Sequence, residues 1–163
     1  MKHVKWILVL LSITILFSFV DKGKVGSGYG VGDKLPEFTL KRTDGEGEFT
    51  LNELKGNYVL LSLWASHDAA SRANNVQLYR TLGQLSEEVK MVSVSFDEYR
   101  SVFVETIKFD GINSAAAFVE VEGENSPLYR KHRLERGFRN YLLDKDGVII
   151  AKNVSAEKLN LLF

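Results

Sequence analysis

A polar segment follows the apolar run Tyr58–Trp64 and holds the residues best suited to chemistry, namely His67, Asp68, Ser71 and Arg72. An imidazole beside a carboxylate could act as an acid and base pair, and a hydroxyl could act as a nucleophile. Adjacent residues at a helix start seldom point toward each other, and no serine or threonine is an obvious nucleophile. We therefore interpret Asp68 as the N-cap of a helix, with Ser71 as a small polar residue in its first turn.

Other reactive chemistry finds little support in the sequence. The histidines are His3, His67 and His132, and no two of them have the spacing of metal ligands. The chain contains no cysteine, which excludes disulfides, thiolate nucleophiles and thiolate metal sites. The glycine-rich stretch Gly23–Gly32 does not resemble a phosphate-binding loop, because no strand precedes it and no Gly-Lys-Ser/Thr ends it. We predict neither a metal nor a cofactor.

The size and charge of the chain indicate one ordinary domain with an extension. Its 163 residues contain 21 lysines and arginines and 21 aspartates and glutamates, mixed along the sequence. No basic stripe indicates a nucleic-acid partner, and no acidic tail indicates a basic one.

The first 20 residues have the composition of a targeting segment. Lys2 and Lys5 precede the uncharged apolar run Trp6–Val20. This run is short for a bilayer span, which needs about 20 residues. We interpret it as a secretory signal, with an uncleaved signal anchor as the alternative. The protein is then exported, either periplasmic or anchored facing that side, and meets the membrane only through this segment.

The rest of the chain divides into a linker and one domain. Residues 21–32 contain five glycines and few large apolar groups, which is typical of a flexible linker. We place the folded domain at residues 33–163.

The first half of that domain predicts a hairpin and a parallel unit. Glu37–Lys41 and Glu48–Leu51 are strand-like pieces around a glycine-containing turn. Tyr58–Trp64 suits a strand buried on both faces, and Val89–Phe96 is the next strand. An amphipathic helix lies between these two strands and is predicted to end near Ser86. A strand, helix and strand of these lengths predict a parallel βαβ unit.

The second half predicts two helices, a hairpin and a final helix. The helices cover about Glu98–Phe109 and Pro127–Leu134, and the hairpin is Asn140–Asn153. Ser155 is expected to cap the last helix, with Glu157 in its first turn.

Several of these segments together resemble a known family. They are "LPEFTLKRTDGEGEFTLNELKGNYVLLSLWAS", "SVSFDE" and "NYLLDKDGVIIAKN". The chain from Gly32 onward is similar to the envelope thiol-disulfide oxidoreductases of the TlpA/ResA type, in the thioredoxin-like superfamily and close to the AhpC/TSA group. The resemblance implies a thioredoxin-like α/β/α sandwich, with a central mixed sheet and an N-terminal β-hairpin extension.

The resemblance breaks at the reactive site. The family pattern implies Trp-Cys-x-x-Cys-Arg after the strand, whereas Asp68 and Ser71 stand at the two cysteine positions here. The family also implies a cis-proline before the strand that faces this motif, and that position falls on Phe138. A cis bond before a residue other than proline costs about 2.5 to 4 kcal/mol, so we predict a trans bond there. No catalytic residue is predicted.

The function is expected to lie in binding. The segment Tyr129–Arg139 carries five lysines and arginines, which form either a solvated face or a surface for an anionic ligand or acidic partner. We expect a redox-inactive module of the cell envelope that binds a protein or peptide. The alternatives are an enzyme that re-uses the pocket for non-thiol chemistry and a structural subunit of an envelope assembly. The candidate binding rim, whose aromatic members could also pack on the domain itself, consists of Trp64, His67, Asp68, Arg72, Arg136 and Phe138.

Overall fold

The computed structural model describes residues 25–42, 47–85 and 89–163. The predicted targeting segment, residues 1–20, lies outside these ranges. Within them, no helix is both long enough and apolar enough to cross a membrane.

Seven strands and four α-helices make up the described part of the chain. In chain order they are β1 (Thr39–Lys41), β2 (Glu48–Thr50), β3 (Tyr58–Trp64), α1 (Ala69–Leu82), β4 (Val89–Ser95), α2 (Arg100–Asp110), β5 (Ala117–Val119), α3 (Pro127–Lys131), β6 (Asn140–Leu143), β7 (Ile149–Lys152) and α4 (Ala156–Leu162).

Five of the strands form a mixed sheet in the order β5-β4-β3-β6-β7. The central strand β3 pairs in parallel with β4, with Trp64 opposite Ser95, and antiparallel with β6, with Ser62 opposite Asn140. A helix connects β3 to β4 and another connects β4 to β5, as parallel neighbours require. The strands β1 and β2 form the separate antiparallel hairpin that the sequence predicted.

Alternating side chains of β3 contribute to two apolar layers, because successive residues of a strand point to opposite faces of the sheet. Leu60 packs with Leu78 of α1 and Leu159 of α4, and Trp64 packs with Phe103 and Ile107 of α2. Helices α1, α2 and α4 therefore cover one face of the sheet.

The hairpin and α3 cover the opposite face. Leu61 and Leu63 lie there in one cluster with Phe49 of β2 and Leu128 of α3. The ring of Phe49 stacks on Phe118 of β5 at 4.8 Å between centroids. Together these layers give the α/β/α arrangement with a mixed sheet that was expected.

Three details differ from the prediction. The short strand β5 was not predicted, because three residues show too little periodicity to be recognised. The helix α1 ends at Leu82, ahead of the predicted Ser86, and Gly83 caps it. The predicted helix Pro127–Leu134 is shorter, because Arg133 takes the left-handed conformation and separates α3 from a 3-10 turn at Leu134–Arg136.

Residues 25–32, which the sequence assigned to a linker, form a loop bonded to the sheet. The backbone N–H of Gly32 donates to the Ile149 carbonyl at 2.8 Å. The loop curls around Asp33, whose Oδ2 accepts from the Gly30 N–H at 2.8 Å. A Cβ at Gly28 would lie 2.5 Å from the same oxygen. The glycines at these positions therefore allow close approach to a carboxylate.

Candidate functional site

The candidate site lies where three strand ends meet. The carboxyl ends of β3 and β4 are neighbours because these strands are parallel, and the start of β6 lies beside β3 because that pair is antiparallel. Backbone bonds hold the corner together: Phe96 N–H donates to the Trp64 carbonyl at 2.9 Å, and Leu63 N–H donates to the Arg139 carbonyl at 3.0 Å. Residues 65–72, 96–97 and 137–139 are thus brought to one edge of the sheet.

Asp68 is the N-cap of α1, as predicted. Its backbone is extended, with φ −93° and ψ 99°, and its Oδ1 accepts from the Ser71 N–H at 2.7 Å. This bond satisfies one of the free donors in the first turn of the helix. The same bond holds the pKa of the Asp68 carboxyl below its ordinary value. The side chain therefore stays ionised and is engaged in capping.

The Ser71 hydroxyl is also engaged within the helix start. It donates to the Asp68 carbonyl at 3.2 Å and accepts from the Ala65 N–H at 3.4 Å. Asp68 and Ser71, the residues at the two expected cysteine positions, are therefore bonded to each other and not to a base that could activate a nucleophile.

His67 does not pair with Asp68. Its ring is 66% exposed, and its Nδ1 lies 3.9 Å from Oδ1 of Asp97. Asp97 is buried at the end of β4, where its Oδ1 accepts from the N–H of Ser66 at 3.0 Å and from the Ser66 hydroxyl at 2.6 Å. Its Oδ2 accepts from the Ser95 hydroxyl. The carboxylate ties the segment after β3 to the end of β4.

Asp97 is a site residue that was not predicted from the sequence. Its available signal was its position directly after the apolar strand Val89–Phe96, where the ends of parallel strands place polar groups. Its partners could not be identified from the sequence, because Ser66 is 31 positions away and meets it only through the β3–β4 register.

Phe138 joins an aromatic cluster at this corner. Its ring centroid lies 6.1 Å from that of Phe96, 6.2 Å from that of Tyr129 and 6.4 Å from that of His67. The peptide bond before it is trans, as predicted. Gly137 precedes it with φ +111°, a conformation that L side chains rarely adopt.

A groove of about 390 Å³ runs between Asp68 and Phe138. Its walls come from the start of α1, the segment 137–140 and the segment 153–155. Of the six residues proposed for the rim, these two are the ones that line this groove.

The structure places the other proposed rim residues differently. Trp64 has no exposed surface and donates its indole N–H to Ser93 Oγ at 2.8 Å, so it is a core residue and cannot form part of a rim. Arg72 turns toward α2 and makes a two-pronged ion pair with Asp110 at 2.7 and 2.8 Å. Arg136 is exposed, with its Nε 3.9 Å from Glu135.

The basic segment Tyr129–Arg139 also contains a buried histidine. His132 is 2% exposed, and its Nδ1 lies 3.2 Å from the Tyr141 hydroxyl. The Tyr29 ring meets it edge-on at 4.6 Å between centroids. Burial, with a smaller contribution from the nearby charge of Arg139, lowers the pKa of His132 to about 4, so the ring is neutral at pH 7.

Residues 31–152 match the sequence model of the AhpC/TSA family. The chain belongs to this family. A thioredoxin-like protein from Parabacteroides distasonis is 41% identical to it, over 85% of this chain and 98% of that chain, with a TM-score of 0.72. The resemblance inferred from the sequence is thereby confirmed. No match was found among the curated proteins.

More distant structures share the thioredoxin-like fold. The thioredoxin domain of a thiol-disulfide oxidoreductase from Bacteroides vulgatus is 21% identical over 83% of this chain and 96% of that chain, with a TM-score of 0.70. A thiol-disulfide oxidoreductase from Bacteroides fragilis is 24% identical over 80% of this chain and all of that chain (100%), with a TM-score of 0.68. This AhpC/TSA member keeps the scaffold and has no cysteine in its sequence.

Proposed function

We propose that this AhpC/TSA member is a binding module of the cell envelope, which recognises a partner polypeptide and carries out no thiol-disulfide exchange. The observation that carries the proposal is the bonding between Asp68 and Ser71 at the former cysteine positions. Exchange requires a thiolate that attacks a disulfide sulfur. Here the helix start holds a carboxylate and a hydroxyl in place of the thiols, and the two residues are hydrogen-bonded to each other.

Binding is supported by what surrounds these two residues. The groove beside Asp68 has the size of a small-ligand or side-chain pocket. Phe138 forms part of its wall, and aromatic side chains are frequent anchors of protein interfaces. Among the described residues, the backbone N–H and C=O of Phe138 make no hydrogen bond, so an extended partner segment has groups to pair with.

An insulin reduction assay with dithiothreitol tests the absence of exchange. The purified protein should give the same rate as buffer alone, because it has no thiol. The double variant Asp68→Cys with Ser71→Cys is the matched control, since it restores two thiols at the same helix start without other cysteines. Turnover by the unmodified protein above the buffer rate would contradict the proposal.

Site-directed photo-crosslinking tests partner binding in the cells that make the protein. A benzophenone amino acid at Phe138 should yield a discrete crosslinked species. The same group at Ile150, which is exposed on β7 and lines none of the site's walls, is the control. If neither position, or both equally, gave a crosslink, the groove would not be the binding site.

The envelope location rests on the charged and apolar pattern of residues 1–20. Fractionation of the tagged full chain, followed by sequencing of its mature N-terminus, distinguishes a cleaved signal from a retained anchor. A cytosolic chain that still begins at Met1 would exclude both.

A further inference from the structure

The second helix carries a stripe of exposed apolar side chains. Tyr99, the N-cap of α2, is 70% exposed, and Phe109 in its last turn is 85% exposed. Val102 is also exposed and lies between them, while Phe103 and Ile107 face the core. Large apolar groups gathered on one helix face are typical of interaction surfaces.

Two grooves join along this stripe. One, of about 360 Å³, extends from His67 to Tyr99 and Val102, and the other, of about 640 Å³, extends from Val102 to Phe109 and Arg72. Because Val102 lines both, the surface continues from the former active-site segment along the helix. At 1.5 Å per residue, the ten steps from Tyr99 to Phe109 span about 15 Å, which equals roughly five residues of extended chain or three turns of helix.

The side chains that border the stripe carry a net negative charge. Glu98 and Glu124 line the first groove and Glu105 lines the second. Within the described ranges none of the three makes an ion pair with a lysine or arginine. Among the described residues that line the two grooves, the one lysine or arginine is Arg72. It is paired with Asp110, and its guanidinium lies 5.6 Å from the centroid of the Phe109 ring.

The cations of the helix itself do not alter this sign. Arg100 and Lys108 line neither groove, and at 100° per residue they project well away from Val102 and Phe109. The stripe is therefore apolar with an acidic border.

We propose that this surface, formed by Tyr99, Val102 and Phe109 with Glu98, Glu105 and Glu124, docks a basic amphipathic segment of the partner polypeptide. Apolar side chains of that segment contact the stripe, and its lysines or arginines face the three carboxylates. The inference rests on the proposed binding function and adds the chemistry of the partner. A neutral or acidic segment would leave the carboxylates without counter-charges.

Fluorescence anisotropy with the full chain tests this surface. The probe is a labelled 14-residue peptide of lysines and leucines at helical spacing, and its counterpart has glutamate in place of lysine. The basic peptide should bind at least about tenfold more tightly. Phe109→Ser should weaken its binding about tenfold, as loss of an aromatic anchor does. Glu105→Gln should weaken binding and flatten its dependence on salt.

The control variant is Ile150→Ser, which removes an apolar group that is 41% exposed on β7 and should bind as the unmodified chain does. Equal binding of the acidic peptide, or unchanged binding by Phe109→Ser, would overturn the proposal. So would a concentration-dependent dimer in sedimentation that Phe109→Ser abolishes, because the occupant would then be a second copy. A crosslink at Phe138 together with failure of the peptide assay refutes this surface and leaves the proposed function standing.

Discussion

Lowering the pH from 7 to 4.5 should destabilise this domain through one buried side chain, His132. The ring lies against Tyr29, Phe38 and Tyr141 on the face of the sheet that α3 covers. Burial, and to a smaller extent the positive charges of Arg139, Lys131 and Lys152, together lower its pKa from 6.5 to about 4. A proton on this ring would be poorly hydrated and close to other cations.

The direction and size of the effect follow from the two pKa values. The unfolded chain takes up a proton as the pH falls through 6.5, whereas the folded chain takes it up only near pH 4. The free energy of unfolding therefore decreases between these values and changes no further below pH 4 through this group. Between the two pKa values, each pH unit changes the free energy of unfolding by about 1.4 kcal/mol. The loss between pH 6.5 and 4 is therefore about 3 kcal/mol, and the loss from pH 7 to 4.5 is about 2 kcal/mol.

Urea unfolding at pH 7, 5.5 and 4.5 measures this loss. His132→Gln removes the titrating group and keeps a polar side chain, so its stability should be lower at pH 7 but should fall about 2 kcal/mol less on acidification. Tyr141→Phe is the control, since it deletes the hydroxyl 3.2 Å from Nδ1 and leaves the histidine in place. It should keep the acid-dependent loss. If His132→Gln lost as much stability as the unmodified protein, the reasoning would be refuted.

Three further substitutions test individual contacts by the same unfolding measurement. Asp68→Ala should lower the free energy of unfolding by about 1 kcal/mol through loss of the helix cap, and Asp68→Asn should retain most of it; equal losses would argue against capping. Gly28→Ala should destabilise because its Cβ would meet the Asp33 carboxylate, and an unchanged midpoint would show that the loop gives way easily. Asp110→Asn should lower the free energy of unfolding by on the order of 1 kcal/mol, because it removes the charge that Arg72 faces. This loss should be smaller at high salt, and a loss independent of salt would contradict the ion pair.

Local elements were predictable from short stretches of sequence. The run Tyr58–Trp64 is apolar except for Ser62 and proved to be the central strand, buried along nearly its whole length. Ser155 was recognised as an N-cap because the cap and the amide it binds, Lys158 N–H, are three residues apart. The strand at Ala117–Val119 was missed because its pairing with β4, and not a pattern of its own, makes it a strand.

The site was predictable only in part. The sequence indicated a helix start at Asp68, and the bond to the Ser71 N–H confirms it. It could not indicate which way neighbouring side chains point. Trp64 and Arg72 were both placed on the rim, yet strand alternation turns Trp64 into the core and the packing of α1 on α2 turns Arg72 toward Asp110.

By itself, the sequence determined that this member of the AhpC/TSA family has no thiol, and that a carboxylate and a hydroxyl stand where the family resemblance implies cysteines. Composition and the order of residues along the family pattern suffice for such statements. Only the tertiary structure decided that Asp97 ties the site together, that His132 is buried among aromatic rings, and that α2 presents Phe109 to solvent. Each of these depends on strand register or on helices packing across a sheet, which join residues far apart in the chain.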